Sequence, residues 1–337
     1  MLKQLIEKLI DRKNLTRSET SAAIQEMLKA PNAHQVAAFL VLLGAKGETV
    51  DELLGVIDAL RSSMIAVEVK ERVLDIVGTG GDASHSVNIS TGSCIVAAAC
   101  GVKIAKHGNR SVSSKCGAAD LLEALGVTIE IPPQSLVKMI DAIGIGFMYA
   151  PYYHPGLKAI SEIRRGLNVR TVFNLVGPLV NPAEASFRMI GVYNPKVLDL
   201  LAETLFRLGT EHTLVFHGSG MDELSCVGPA QVREVTASGV KSWILDPEAL
   251  GLPRCAIEDL RGGDAAFNAS LMLRALKGEE GPLLNTLALN AGVALWLYGK
   301  AESIQTGVAT AKMQLKRGDP YMKLNQWIEL CQTFSKK

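Results

Sequence analysis

The chain has 337 residues, of which 48% are hydrophobic and 20% charged, and its 35 basic side chains stand against 34 acidic ones for a formal charge of +1. A chain of this length can bury a large core, with room for two domains. The charge balance argues against a protein held on nucleic acid or an anionic membrane, and an aromatic content of 5% leaves little material for a base-stacking platform.

Residues 1–70 read as helices only. Leu2, Leu5, Ile6, Leu9 and Ile10 recur at helical spacing, in an amphipathic start that is not a signal peptide. Thr16-x-x-Glu19 and Thr49-x-x-Glu52 fit the capping box, and the apolar run His34–Leu43 between them predicts a buried helix. From Val73 short apolar strands alternate with helices. Strands are expected at 73–77, 102–105, 127–131, 145–149, 188–193 and 213–217, and helices at 91–100, 117–125, 134–143, 195–208 and 284–298. Such alternation predicts a mainly parallel sheet covered by helices. Residues 219–250 read as a hairpin-rich insertion with two strands around a Ser-Gly turn. No run approaches a membrane span, and six scattered cysteines without a CxxC pair suit an intracellular chain, so a cytoplasmic protein is expected.

Chemistry concentrates where strands end. The first strand runs into Gly78-Thr79-Gly80-Gly81-Asp82, and Asn88-Ile89-Ser90-Thr91 then opens a helix. Glycines at a strand's carboxyl end let the backbone approach a ligand with its amides forward, and a helix N-terminus suits phosphate. Either turn alone is an ordinary turn with a cap; two so close together favour phosphate. The spacing matches neither GxxxxGK[ST] nor GxGxxG. Beyond the next strand, Lys106, His107, Gly108, Asn109, Arg110, Ser111, Ser113 and Ser114 crowd one loop. Charged loops are usually just solvated, but this one shares the sheet edge with the glycine turn, so both are expected to converge on one anionic ligand.

After the strand at 213–217, Asp222 and Glu223 supply hard oxygen donors of the kind magnesium uses beside phosphates. Arg164, Arg165 and Arg170, in a segment rich in proline, tyrosine and arginine, offer guanidinium forks to a carboxylate. The six histidines show no compact metal spacing, and His85 and His212 read as structural.

GTGGD, NIST, KHGNRSVSS and Asp-Glu, in this order, resemble the anthranilate phosphoribosyltransferases of tryptophan biosynthesis. KGET (46–49), VRTVFNLVGPLVNPA (169–183), GGDAAFNA (262–269) and LNAGVAL (289–295) extend the likeness over nearly the whole chain. The resemblance implies a small all-helical domain, 1–70, completed by helices from about 160–184 and hinged to a larger α/β domain, 71–337. That is the fold shared with pyrimidine nucleoside phosphorylases. It implies transfer of the phosphoribosyl group of 5-phosphoribosyl 1-diphosphate (PRPP) to the amine of anthranilate. Gly78, Gly81, Asp82, Ser86, Asn88, Ser90 and Thr91 would hold PRPP together with the loop from Lys106 to Ser114. Ser90, Asp222 and Glu223 would hold magnesium, as two ions. Arg164 would grip the anthranilate carboxylate, helped by Gly78 and Asn109, with His107, Pro151 and His154 lining its channel. No acid–base residue is assigned, because an aromatic amine is neutral and nucleophilic at pH 7. A homodimer through the helical domain is implied, and a complex with anthranilate synthase is left open.

Ala83 stands where this family usually has glycine, Ser86 for threonine, Val87 for phenylalanine, Ala118 for a PRPP-contacting serine and Asn168 for glycine. Two rivals remain: a pyrimidine nucleoside phosphorylase, which would not need the Asp222–Glu223 magnesium site, and a non-catalytic nucleic-acid-binding relative, which should show a basic surplus.

Overall fold

The structure is a computed structural model that describes residues 1–111 and 115–335. Four helices open the chain: α1 (Leu2–Ile10), α2 (Arg17–Lys29), α3 (Ala33–Lys46) and α4 (Val50–Arg61). Both expected capping boxes form. Thr16 accepts from the Glu19 amide, Thr49 from the Glu52 amide, and each glutamate reaches back to its threonine's backbone. Along α3, Val36, Phe39, Leu40 and Leu43 are buried while Val41 is exposed, so this helix buries one face rather than its whole surface.

The remainder follows in the order β1 (Leu74–Gly78), α5 (Ile89–Ala99), β2 (Ile104–Gly108), α6 (Ala118–Ala124), α7 (Pro133–Ile143), β3 (Ile145–Tyr149), α8 (Ala150–Tyr153), α9 (Lys158–Leu167), α10 (Phe173–Val176), β4 (Phe187–Gly191), α11 (Leu198–Arg207), β5 (His212–Gly218), β6 (Ala230–Thr236), β7 (Gly239–Leu245), α12 (Ala265–Leu276), α13 (Pro282–Leu297), α14 (Ile304–Arg317) and α15 (Asp319–Ser335). The sheet order is β3-β2-β1-β4-β5-β6-β7, with β1 to β5 parallel. β6 and β7 form the expected hairpin, with Ser238-Gly239 at its turn, and extend the sheet as antiparallel edge strands.

One expected strand is absent. Val127, Ile129 and Ile131 are buried and alternate with less buried neighbours, which is the strand pattern, but residues 127–131 join no strand. The sheet ends at β3, and the segment's carbonyls are taken instead by Tyr153, whose hydroxyl donates to Ile131 O at 2.7 Å, and by the Cys331 thiol at Thr128 O. Alternation records two faces of different polarity, not a ladder partner.

One sheet face packs with α5, α6, α7 and α12 to α15 around Ile76, Ile95, Phe147 and Trp327. The other carries Ile190 and Val215 into one apolar cluster with α11, α1 to α4, and Ile160, Phe173 and Val176. No helix among the described residues is long and apolar enough to cross a membrane.

Glu52 fixes the joints of the helical region. Fully buried, it accepts from the Leu15 and Thr49 amides, both at 2.8 Å, and from Lys46 Nζ at 2.9 Å. Removing one partner of a buried ion pair leaves the other charge uncompensated. Glu52→Ala is therefore expected to cost about 3–5 kcal/mol in urea denaturation; a loss below about 1 kcal/mol would mean that water reaches Lys46 and the freed amides.

Candidate active site

The strand order reverses between β1 and β4, and in open α/β sheets the crevice beyond the carboxyl ends at such a point receives ligands. Here those ends are glycines. Gly78 and Gly191 face each other in register, and Gly218 ends β5. A Cβ on Gly78 would lie 2.2 Å from Asp222 Oδ2, one on Gly191 1.7 Å from Asp222 O, and one on Gly218 2.2 Å from Glu223 O. The three bare backbones form the floor on which the Asp222–Glu223 segment rests.

Both acids are 8% exposed. Asp222 Oδ2 accepts from the Gly80 amide at 2.6 Å, Glu223 Oε1 from the Ser90 amide at 3.1 Å, and the Asp222 amide donates to Asp82 Oδ2 at 3.2 Å. Burial holds the Asp222 carboxyl well above the usual range, aided by the charges of Glu223 and Asp82. Burial likewise pushes Glu223 up to about 7, although the Ser90 amide and Lys106 pull it down. Lys106 is 2% exposed and donates to Ile76 O at 2.6 Å, so it lies beneath the acids rather than on the open loop expected of it.

The glycine turn is tightly wound. Gly80 and Gly81 have φ of +70° and +80°, and Ala83 (+61°) and His85 (+53°) share the left-handed region without being glycine. Asp82 Oδ1 accepts from the Ser84 amide at 3.0 Å, closing the turn on itself. Asn88 occupies the cap position of α5 without capping it. Its Nδ2 donates to Cys116 O at 3.0 Å. Ser86 pairs with Arg261 in an isolated antiparallel bridge. The Thr91 hydroxyl is buried and has no partner among the described residues.

The loop after β2 divides. Gly108 packs on Phe147, Asn109 is exposed with its Oδ1 accepting from the Arg110 amide at 2.7 Å, and the Ser111 amide donates to Asp120 Oδ2 at 3.0 Å. Arg110 is turned onto α6, donating to Asp120 Oδ1 at 3.0 Å and Glu123 Oε1 at 2.9 Å, and to the Tyr149 hydroxyl at 3.2 Å. Its charge is thus already paired. Ser113 and Ser114 lie outside the described residues.

A second set of residues is carried by the end of β2, by α8 with His154 after it, and by α9. The His107 and His154 rings lie 5.1 Å apart, both buried, and His154 Nε2 is 3.0 Å from Val180 O. Burial lowers His107 to about 3, with His154 adding to it, and His154 to about 4, so both rings are neutral at pH 7. His107 Nε2 and His154 Nδ1 find no partner among the described residues. Pro151 is exposed on α8. The Arg164 guanidinium is half-buried on the Phe173 ring, 4.8 Å from its centroid, and burial lowers its pKa; among the described residues it makes no hydrogen bond or ion pair.

Two contributors were not assigned from sequence. Arg170, read as one of three arginines for a carboxylate, instead stacks 4.1 Å over the Tyr193 ring and donates to Gly81 O. Asn268 was visible only as part of GGDAAFNA, and its Nδ2 donates to Asn88 Oδ1 at 3.0 Å. Neither contact has a signal in local spacing, because each joins segments far apart in the chain.

Known proteins are similar to this one across the chain. Residues 3–64 match the glycosyl transferase family helical bundle domain and residues 70–321 the glycosyl transferase family a/b domain. The anthranilate phosphoribosyltransferase of Chlamydia felis is 42% identical over 339 aligned positions, covering 100% of this chain and 98% of that protein. That of Mesorhizobium japonicum is 46% identical over 296, covering 88% of each. Among solved structures, the anthranilate phosphoribosyltransferase of Thermus thermophilus superposes with a TM-score of 0.91 at 42% identity, over 97% of this chain and 99% of that one. The Saccharomyces cerevisiae protein in complex with PRPP and Mg gives 0.91 at 25% identity, over 98% of each. With both domain models matched and relatives this similar along their full length, the chain belongs to the anthranilate phosphoribosyltransferase family of glycosyl transferases.

Proposed function

We propose that the protein transfers the 5-phosphoribosyl group of PRPP to the amine of anthranilate, giving N-(5-phosphoribosyl)anthranilate and diphosphate in tryptophan biosynthesis. The observation that carries this reading is the pair of buried acids between the glycine turn and the start of α5, together with the Arg164 guanidinium stacked on Phe173. Full-length likeness to anthranilate phosphoribosyltransferases supports the same reaction.

Magnesium fits the residues present. Two buried carboxyls, both raised chiefly by burial, are short of positive charge, and their hard oxygens suit a small divalent cation that keeps most of its ligands from water and phosphate. No cluster of three or more His, Cys, Asp or Glu side chains able to hold a metal is found among the described residues, so substrate oxygens would complete the shell. Asp222, Glu223 and the Ser90 hydroxyl would hold it, as two ions. When bound, it neutralises the leaving diphosphate.

The chain's own residues do the rest. Amides of the Gly78–Asp82 turn and the α5 N-terminus, together with Ser86, Asn88, Thr91 and the loop from Lys106 to Ser114, hold the diphosphate and ribose. Arg164 receives the anthranilate carboxylate, and Asn109, His107, Pro151 and His154 border its path. Breaking the anomeric bond early spreads positive charge on the ribose, so the rate depends on stabilising the leaving group and positioning the amine. The neutral amine needs no strong base, which agrees with histidines at about 3 and 4.

Residues 1–70 with 160–184 form the helical domain in this reading, and 71–337 the α/β domain. Exposed Ile10 and Val41, on the adjoining α1 and α3, suit a homodimer through that helical domain. The cytoplasm is its proposed location.

The test is anthranilate fluorescence after mixing with PRPP and Mg²⁺, with metal-free and PRPP-free controls. Signal should fall only in the complete mixture; an unchanged signal with folded protein would overturn the reading. Arg164→Ala is expected to raise KM for anthranilate about 10–100-fold, the worth of a charge-assisted carboxylate contact, with KM for PRPP within about twofold. Equal rises would remove Arg164 from the acceptor site.

Asp222→Asn combined with Glu223→Gln should abolish turnover while stabilising the ligand-free fold. A carboxyl raised to about 7 from 4.5 keeps its proton in the native state where the unfolded chain has lost it. Its contribution is therefore present below 4.5 and is lost as pH rises to about 7. The double variant's melting temperature should exceed the wild type's at about pH 8 and approach it at about pH 4. A constant gap would mean that these acids titrate normally.

A further inference from the structure

GGDAAFNA, residues 262–269, takes no part in the reading above, yet it is folded against the glycine turn. The Gly262 amide donates to His85 O and the Val87 amide to Leu260 O, both at 2.8 Å, on either side of the Ser86–Arg261 bridge. A Cβ on Gly262 would sit 2.9 Å from Asn268 Oδ1 and 3.0 Å from Ser86 O and Val87 N, so the close approach requires glycine. Asp264 caps α12, accepting from the Phe267 amide at 2.9 Å, and the first turn of that helix delivers Asn268, 1% exposed, to the junction.

There Asn268 and Asn88 form a directed relay. The Gly263 amide donates to Asn268 Oδ1 at 2.7 Å, Asn268 Nδ2 donates to Asn88 Oδ1 at 3.0 Å, and Asn88 Nδ2 donates to Cys116 O at 3.0 Å. A backbone N–H can only donate and a backbone carbonyl can only accept, so the two ends dictate the orientation of both side-chain amides. Turning either one over sets donor against donor or acceptor against acceptor in a partly buried place. Each amide group of Asn88 has two donor or acceptor positions, and the relay uses one on each side.

We propose that Asn268 is a positioning residue for the phosphoribosyl donor: it fixes the Asn88 amide, and through Cys116 O the far end of the loop that follows β2, so that the glycine turn, the start of α5 and this loop share one frame built on α12. The role rests on the reading of these segments as the PRPP site. It gives GGDAAFNA a task in donor binding although none of its side chains need touch PRPP.

Asn268→Asp tests this, because it keeps the side chain's size and its acceptor for Gly263 while removing the donor to Asn88. KM for PRPP should rise about tenfold or more with KM for anthranilate within about twofold. Because Asn268 acts through Asn88, the Asn88→Ala single variant and the Asn88→Ala/Asn268→Asp double variant should have the same KM for PRPP. Equal rises in both KM values, a fall in kcat alone, or additive losses in the double variant would overturn the role. Should Asn268→Asp be too unstable to assay, Asn268→Ala, which keeps helix propensity in α12, is read by the same criteria. An inactive wild type in the same assay would overturn the transferase reading and this role with it, whereas an active wild type with unchanged constants in Asn268→Asp would overturn this role alone.

Discussion

Two adjacent acids held below the surface at the point where the strand order reverses set the terms for everything around them. Burying like charges together is unfavourable, and the fold supplies only partial relief: one amide from the glycine turn, one from the start of α5, and Lys106 from beneath. The arrangement in turn constrains the sheet. Any side chain at Gly78, Gly191 or Gly218 would displace Asp222 or Glu223, so three neighbouring parallel strands end without a Cβ. The glycines are therefore a consequence of the acids as much as an adaptation to a ligand. The remaining deficit of positive charge is what a divalent cation carrying phosphate oxygens would remove, which links an unfavourable feature of the free protein to its proposed chemistry.

The turn above the acids holds a second unfavourable element. Ala83 and His85 sit at φ of +61° and +53°, where a Cβ is crowded and glycine is the usual occupant. Such backbone persists because its surroundings over-determine it. The turn is tied to the end of β4 by the Thr79 amide, which donates to Gly191 O at 2.9 Å, to the segment after β4 by Thr79 Oγ1, which accepts from the Tyr193 amide at 3.0 Å, to residues 260–262 through the paired backbone, and to the segment after α9 through Arg170 on Gly81 O. Arg170 lies six residues beyond Arg164, so a short stretch of chain joins the Arg164 guanidinium to the glycine turn. Asn168, between them, takes the left-handed φ of +51° that lets the chain leave α9 sharply, a conformation asparagine tolerates better than most residues.

Features of the sequence that depend on neighbours in the chain proved legible. Thr16/Glu19 and Thr49/Glu52 are local contracts between a side chain and the next turn, and both formed. Short apolar runs located β1 to β5, and Ser238-Gly239 located the hairpin. The pattern was silent where an outcome depended on a distant partner. Residues 127–131 alternate like a strand but meet a helix and a tyrosine instead of a ladder. Arg110 looked available for phosphate, but Glu123 and Asp120, on the helix after its loop, take its charge. Lys106 looked exposed in a polar loop, whereas its place in the middle of β2, a parallel strand flanked by β1 and β3, buries it. Arg170 reaches Gly81 across 89 residues and Asn268 reaches Asn88 across 180, which no spacing rule reports.

The two halves of the site use different physics, and this bears on how a single active site keeps its substrates apart. The half built on the glycine turn offers backbone amides and acids that call for a cation, a setting suited to a multiply charged phosphate with its metal. The half at α8 and α9 offers one uncommitted guanidinium on an aromatic face and two histidines that burial keeps neutral. A flat acceptor with a single carboxylate matches that second half, since the guanidinium meets its charge and the neutral rings add hydrogen-bonding atoms without further charge. A diphosphate placed there would gain one cation where it needs several, and an aromatic carboxylate placed against Asp222 and Glu223 would face like charge. In the proposed reading, charge alone would order the two substrates before any shape is considered.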